Sequence, residues 1–180
     1  MNRIHIICGE RNTGKTSICQ KLAEIFKKSG NSVKGIISPG VYKYNKKVAI
    51  DAVDIATGKV IKLADYIPGW DPKKPISEWK VNKDAILWGN SVLKNSIPCD
   101  VLIIDEIGYL EFEKKDGWLE AFIVLETNQY KVSFIVVRNS LVKEALLRWP
   151  EAKIMRVKDY LKNKSIVNEL VHQFVNNEKR

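Results

Sequence analysis

Residues 9–16, Gly-Glu-Arg-Asn-Thr-Gly-Lys-Thr, have the types and spacing of a phosphate-binding loop. The successive backbone N–H groups of such a loop converge on phosphate oxygens. Gly9 and Gly14 allow backbone angles and close approaches that a Cβ atom would block. Lys15 would reach the β- and γ-phosphates of a triphosphate, and the Thr16 hydroxyl would bind Mg²⁺. The alternative is a glycine turn followed by an unrelated lysine, which the placement between a predicted strand and a predicted helix disfavours.

A second group that could do chemistry follows the apolar residues 101–104. Asp105 would hold Mg²⁺ together with Thr16, directly or through a water molecule. Glu106 could accept a proton from an attacking water or orient it. The simpler interpretations are a strand-end acid for Asp105 and an exposed acid for Glu106, and the presence of the phosphate loop favours the chemical ones.

Phosphoryl transfer also benefits from a cation near the γ-phosphate. Arg138 ends an apolar strand at the same predicted edge and is our main candidate, whereas Arg11 and Lys158 are weaker ones. A nucleotide base could stack on aromatic side chains that are more commonly packing residues: Tyr42, Trp70 and Trp79.

Alternating strands and helices position these residues in an α/β fold with a doubly wound sheet. The hydrophobic patterns predict strands over 3–8, 33–38, 101–104, 132–137 and 153–157. They predict helices over 15–28, 83–95, 116–126 and 140–148, the third capped by Asp116 and the fourth by Ser140, and a closing helix marked by Ile166, Leu170 and Phe174. Residues 41–65 predict a small antiparallel β insertion, followed by an irregular connection over 66–79.

The composition excludes several other classes of protein. The 180 residues predict a single domain over 1–180, since a domain has roughly 150 residues. Apolar residues make up 45% and charged residues 28%, which excludes a disordered or fibrous chain. Three cysteines predict reduced thiols, and two histidines disfavour a histidine-based zinc site. No apolar run reaches the ~18 residues of a membrane helix, and the first residues do not resemble a signal peptide, so we expect a cytoplasmic protein without a membrane partner.

The basic residues are concentrated in the first half of the chain. Residues 1–90 contain 16 basic and 8 acidic residues, a net charge of +8, and the whole chain has a formal net charge of +9. A positive field favours an anionic partner, either a nucleotide or a nucleic acid. We find no aromatic-interleaved basic motif, so a nucleic-acid partner is not expected from the sequence.

The loop, residues 47–58 and above all residues 104–111, Ile-Asp-Glu-Ile-Gly-Tyr-Leu-Glu, together resemble the small P-loop nucleoside-triphosphatases typified by the cancer-related nucleoside-triphosphatase and its thermophile relatives. The resemblance implies a RecA-like P-loop fold with a mostly parallel sheet flanked by helices. It also implies slow Mg²⁺-dependent hydrolysis of ATP, GTP and other nucleoside triphosphates by a chain that we expect to be monomeric. The residues expected at the nucleotide are Gly9, Glu10, Arg11, Asn12, Thr13, Gly14, Lys15, Thr16, Ser17, Asp105, Glu106 and Gly108.

This chain departs from the family pattern at a few positions. Asn12 stands where the family usually has glycine, and Ser17 where it often has threonine. Asparagine tolerates a positive φ, so the loop can still form. Tyr109 and Leu110 replace the usual Lys-Met. Glu111, acidic in the family pattern, is either a group that supports the site or a solvent-facing acid.

Three functions are therefore compatible with the sequence. The first is a nucleoside-triphosphatase in which Lys15, Glu106 and Arg138 act on the triphosphate. The second is a phosphotransferase, with Glu106 serving an acceptor hydroxyl and residues 41–79 forming a lid or acceptor site. The third, which the sequence supports least, is a nucleotide-dependent nucleic-acid-binding module.

Overall fold

The computed structural model describes residues 3–68 and 79–162. The strands are β1 (Ile4–Gly9), β2 (Val33–Ile37), β3 (Gly40–Lys43), β4 (Lys46–Asp54), β5 (Val60–Tyr66), β6 (Trp79–Val81), β7 (Cys99–Ile107), β8 (Tyr130–Arg138) and β9 (Lys153–Arg156). The α-helices are α1 (Lys15–Lys28), α2 (Lys83–Lys94), α3 (Glu120–Glu126), α4 (Val142–Arg148) and α5 (Val157–Lys162). A π-helical turn covers Leu110–Lys114, and a 3₁₀ turn covers Asn139–Leu141.

The strands form one mixed sheet in the order β6-β5-β4-β2-β7-β8-β1-β9, with β3 pairing on β4. Strands β2, β7, β8, β1 and β9 run parallel to one another. The carboxyl ends of parallel strands meet at one edge of a sheet, which is where ligands bind in open α/β folds. The phosphate loop after β1, the acidic pair of β7 and Arg138 of β8 therefore share that edge, and the α/β fold class predicted from the sequence is confirmed.

Helices cover both faces of the parallel strands, because alternate strand residues are apolar on each side. On one face, α1 packs Ile18, Leu22 and Phe26 against the β-strands, with α5 beside it. On the other face, α2, α3 and α4 contribute residues such as Leu93 and Val124 to the second half of the core. Each central strand is thus buried on both sides, which fixes the position of the loops at its carboxyl end.

The antiparallel insertion extends the sheet beyond β2. The last residues of β4 pair with β2, and its first residues pair with β3, which continues the line of β2 after Pro39. Strands β5 and β6 then add in turn. Strands β3–β6, which we call the arm, lie within residues 40–66 and 79–81, so the insertion gains a strand beyond the predicted 41–65 and joins the main sheet. Because the last residues of β4 pair with the end of the antiparallel β2, the first half of β4 projects beyond the sheet edge at which the parallel strands end.

Two predicted boundaries and one predicted helix cap are wrong for physical reasons. The third helix begins at Glu120 rather than at Asp116, because the chain first forms the π-helical turn and Asp116 accepts a hydrogen bond from the backbone N–H of Gly117. Trp79 belongs to β6 rather than to an irregular connection, because it pairs with Tyr66. Ser140 lies within the 3₁₀ turn that precedes α4, and its side chain does not cap that helix. Trp70 and the predicted helix through Ile166, Leu170 and Phe174 lie outside the described residues.

The three cysteines, Cys8, Cys19 and Cys99, are free thiols, as predicted. Burial raises the pKa of each thiol, that of Cys99 to about 11, so the three thiols stay protonated.

No helix within the described residues is both long enough and apolar enough to cross a bilayer.

Gly35 is required by the close pairing of β2 with β7. Its φ is +118°, and a Cβ atom there would lie 1.9 Å from the backbone oxygen of Ile103. Gly35→Ala combines a strained backbone with this overlap, so we expect it to lower the free energy of unfolding by about 3 kcal/mol. Gly58→Ala is the matched control, because Gly58 has a φ of +74° and open space around it. Urea denaturation of both variants measures the difference, and equal losses would contradict the packing argument.

Candidate functional site

The phosphate loop joins β1 to α1 with the geometry that its glycines permit. Gly14 precedes the first helical residue with φ 94° and ψ 21°, a left-handed conformation that favours glycine. Gly9 instead needs to be small, because a Cβ atom there would lie 2.9 Å from Oγ1 of Thr13 and 3.1 Å from Val157. Thr13 donates a hydrogen bond to the backbone oxygen of Glu10 and closes the loop on itself. The N-terminal end of α1 therefore faces the space above the sheet edge, where it favours an anion.

Asn12 has a φ of +58°, in the left-handed region. Asparagine adopts this region more readily than most non-glycine residues. Asn12 therefore accommodates the positive φ that the loop requires at this position.

The Lys15 ammonium lies inside the loop. Its Nζ donates hydrogen bonds to the backbone oxygens of Gly9 and Glu10, at 2.9 Å and 2.6 Å. Burial lowers the pKa of Lys15, while the nearby carboxylates of Glu106 and Asp105 act in the opposite direction. The ammonium therefore sits between the loop and the acidic pair, where a β- or γ-phosphate would meet it.

Asp105 is a buried carboxylate, only 2% exposed, at the end of β7. The backbone N–H of Ser38 donates to its Oδ2 at 3.0 Å. Burial raises the pKa of Asp105 to about 6, whereas the Ser38 N–H and the nearby Thr16 hydroxyl lower it. Thr16 and Asp105, the two residues predicted to hold a metal, thus lie near each other and line the same cleft.

Glu106 is placed by a break in the regular strand. The pairing of β7 with β8 shifts register between Ile104 and Ile107, and Glu106 has a φ of +76°. Successive residues of a regular strand point to opposite faces, whereas here Asp105 and Glu106 both line the same cleft. Such strain in a non-glycine residue concentrates at functional sites.

Arg138 at the end of β8 pairs with Glu106. Its Nε and Nη2 each lie 2.7 Å from Oε1 of Glu106, and both side chains are partly exposed to the cleft. The predicted cation and the predicted proton acceptor are therefore neighbours, as their positions on adjacent strands require.

Glu111 is buried, at 7% exposure, so it is not a solvent-facing acid. Its Oε2 accepts from the backbone N–H of Gly108 at 2.8 Å, and its Oε1 accepts from that of Trp118 at 3.0 Å. Burial raises the pKa of Glu111 above its usual value. The carboxyl group thus links the backbone at Gly108, just after Glu106, to the backbone at Trp118, which leads into α3. These hydrogen bonds stabilise the end of β7 that carries the acidic pair.

A cleft of about 1020 Å³ brings most of the predicted residues together. On one side it is lined by the whole phosphate loop with Thr16 and Ser17, and it continues past Asp105, Glu106 and Arg138 to the arm. Gly108 does not line this cleft, because Glu111 occupies its N–H and it faces a smaller pocket. Lys158 does not line it either. The arm contributes a wall of four side chains: Tyr42, Lys47, Tyr66 and Trp79.

Comparison with known proteins identifies the family. The sequence profile of a family described as NTPase matches residues 4–171. The chain belongs to this NTPase family. It is 29% identical over 107 residues to the nucleoside-triphosphatase THEP1 of Methanosarcina acetivorans, covering 58% of this chain and 59% of that protein. It is 32% identical over 110 residues to that of Pyrobaculum aerophilum, covering 61% and 60%. The alignments thus span about three fifths of these relatives.

Solved structures of this family share the fold. The solution structure of a human cancer-related nucleoside triphosphatase superposes with a TM-score of 0.68 at 22% identity, covering 97% of this chain and 96% of that one. The crystal structure of THEP1 from Aquifex aeolicus gives a TM-score of 0.62 at 20% identity, covering 93% and 96%. The expected P-loop NTPase fold is confirmed.

Two residues that support the NTPase cleft carry no recognisable signal in the sequence: Asn139, which lines it, and Ser38, which lies beside it in the smaller pocket. Ser38 holds Asp105 through its backbone N–H and also donates from its hydroxyl to the backbone oxygen of Asp105. Asn139 donates to Oε1 of Glu10 at 2.6 Å and links the β8 end to the phosphate loop. The sequence offers one indication of their role, which is that each directly follows a parallel strand that ends at the cleft edge. Serine and asparagine are otherwise common in such loops.

The buried carboxyl of Asp105 predicts a pH dependence of stability. A pKa raised from 3.8 to about 6 means that the folded chain binds more protons than the unfolded chain between these values. The free energy of unfolding attributable to Asp105 therefore falls by about 2 kcal/mol as the pH rises from 4 to 7. Urea denaturation at several pH values, without metal or nucleotide, should show this fall in the wild type and not in Asp105→Asn. Glu113→Gln, at an exposed position, should retain it, and identical profiles for wild type and Asp105→Asn would contradict the assignment.

Proposed function

We propose that this chain hydrolyses nucleoside 5′-triphosphates, ATP and GTP among them, to diphosphate and phosphate in a Mg²⁺-dependent reaction. The observation that carries the proposal is that the phosphate loop, Thr16 and the buried Asp105 line one cleft, with Glu106 beside them. Membership of the NTPase family and the names of its relatives support the same activity.

The chemistry of these side chains fits magnesium. Mg²⁺ prefers oxygen ligands and usually binds one or two carboxylates together with substrate phosphates. The Thr16 hydroxyl and the Asp105 carboxylate supply oxygens at one point, and a buried carboxylate is favoured in its charged form by a cation. Mg²⁺ held by Thr16 and Asp105 would neutralise charge on the β- and γ-phosphates.

The remaining groups have separate tasks in hydrolysis. The loop amides and Lys15 bind the phosphate oxygens, and the Lys15 hydrogen bonds to the loop carbonyls give way to phosphate contacts. Glu106 orients the attacking water and accepts its proton. Arg138, released from its pair with Glu106, stabilises negative charge on the γ-phosphate. Because the loop contacts phosphates and not the base, we expect several triphosphates to be accepted.

The test is phosphate release from ATP, GTP, CTP and UTP, each with and without Mg²⁺. We expect release from all four with Mg²⁺ and little with EDTA. No release from any triphosphate would overturn the activity, and undiminished release in EDTA would overturn the metal requirement. Release from a single triphosphate would overturn the broad specificity.

The arm favours a second candidate, a phosphotransferase. Tyr42, Lys47, Tyr66 and Trp79 extend the cleft beyond the acidic pair, where an acceptor molecule could lie. In that case Glu106 would take the proton of an acceptor hydroxyl instead of that of water. Turnover that appears only when a nucleoside or nucleotide acceptor is added would favour this candidate over hydrolysis.

A further inference from the structure

The β3–β4 turn carries a basic segment interleaved with aromatic residues. Residues 42–47, which we call the hairpin tip, read Tyr-Lys-Tyr-Asn-Lys-Lys. The expectation that the chain contains no aromatic-interleaved basic motif is therefore wrong for this segment. In the structure they form the end of the arm, and residues 42–46 are exposed.

Tyr44 has no structural reason to be at its position. Its side chain is 99% exposed, so it contributes no packing. Its φ is +49°, and that of Asn45 is +60°. A two-residue turn with positive φ at both positions favours asparagine, aspartate or glycine, and a bulky residue there is strained. The turn thus holds a large aromatic ring in solvent at a cost in stability.

The charges at the hairpin tip also destabilise the folded hairpin. Lys43 and Lys46 are paired directly across the two strands, and like charges in this position repel. Residues 40–47 contain no acidic residue. Among the described residues, neither Lys43 nor Lys46 has an ion-pair partner. The repulsion would be relieved by a bound anion.

We propose that the hairpin tip binds single-stranded nucleic acid. Lysines that track phosphates and exposed aromatic rings that stack on bases are the two components of such sites. Tyr44 presents both faces of its ring, and Tyr42, at 58% exposure, presents a second ring one residue before Lys43. An acidic peptide would use the lysines but would not need the rings, and the polar turn offers no apolar surface to a membrane.

This surface is continuous with the NTPase cleft without being part of the phosphate loop. Tyr42 and Lys47 line the cleft from the arm, whereas Lys43, Tyr44 and Lys46 lie outside it. A strand bound at the hairpin tip would lie at the mouth of the cleft. Its binding does not need Lys15, so the proposal stands apart from the hydrolytic activity.

The test is fluorescence anisotropy with labelled oligo(dT) and oligo(U) of 12 nucleotides over a range of salt concentrations. We expect Tyr44→Ala to weaken binding about tenfold, the effect of one lost stacking contact. Tyr44→Phe keeps the ring and should bind like the wild type. Tyr44→Gly should raise the melting temperature and still weaken binding, which a merely structural role would not do. The double variant Lys43→Ala/Lys46→Ala should reduce the slope of log K against log salt by about 1.4.

Two controls separate this site from others. Lys143→Ala removes an exposed lysine on α4 and should leave binding unchanged. Lys15→Ala should also retain it, and loss of binding in that variant would overturn the proposal by placing the oligonucleotide in the phosphate loop. Three further results would overturn it: no binding at low salt, equal binding by Tyr44→Ala, and equally tight binding of inorganic polyphosphate or of anionic vesicles.

Discussion

Lys15→Ala is expected to abolish measurable nucleoside-triphosphate hydrolysis and to weaken triphosphate binding by about 100-fold or more. The Lys15 ammonium lies between the loop carbonyls and the acidic pair, and among the described residues no other lysine has hydrogen bonds inside the loop. Removing it leaves the phosphate charge without its charge-assisted hydrogen bonds, each of which is worth about twice a neutral one. Phosphate release and titration with a non-hydrolysable analogue measure the two losses.

The fold should survive this substitution, because Lys15 is at the first turn of α1 and the helix packs through Ile18, Leu22 and Phe26. A melting temperature close to that of the wild type shows that the loss is local. Lys143→Ala serves as the control for removal of a positive charge and should retain full activity. A Lys15→Ala protein that turns over triphosphate at the wild-type rate would remove the loop from the mechanism.

Glu106→Gln is expected to bind Mg²⁺-triphosphate within a few-fold of the wild type and to hydrolyse it about 10² to 10⁴ times more slowly. The amide has the size of the carboxylate and cannot accept the proton of the attacking water, and general-base contributions are of this order. Arg138 loses its charged partner, but its side chain remains in the cleft. Single-turnover kinetics and a separate binding titration distinguish the slow step from the binding step.

Glu113→Gln is the matched control for Glu106→Gln, since Glu113 is an exposed acid in the π-helical turn after β7. It should retain the wild-type rate. A Glu106→Gln variant as fast as the wild type would transfer the role of proton acceptor to another group, and a variant that no longer binds triphosphate would show a binding role instead.

The sequence predicted the parts of this molecule that depend on local chemistry. The glycine positions of the loop, the tolerance of Asn12 for positive φ and the apolar residues before Asp105 are each readable from residue types. The alternation of strands and helices was enough to bring β1, β7 and β8 to one edge. Fold class and most of the cleft followed from these features, because a parallel sheet leaves few alternatives for where the loops lie.

The features that the sequence did not reveal depend on contacts between distant segments. The register shift at Glu106 arises from pairing with β8, and nothing in residues 104–107 marks it. Glu111 is buried because Gly108 and Trp118 donate to it, which a pattern of single residues cannot show. The arm extends to β6 because Trp79 pairs with Tyr66 across a segment rich in proline and glycine.

The order of the strands also bears on self-association. The border strands are β6, of three residues, and β3 and β9, of four residues each, and every one carries at least one exposed cation: Lys43, Lys80, Lys153 and Arg156. Short, charged border strands offer a second copy few unpaired N–H and C=O groups and repel it electrostatically. As far as the described residues define the borders, the nine strands are poorly suited to continue from one molecule into the next.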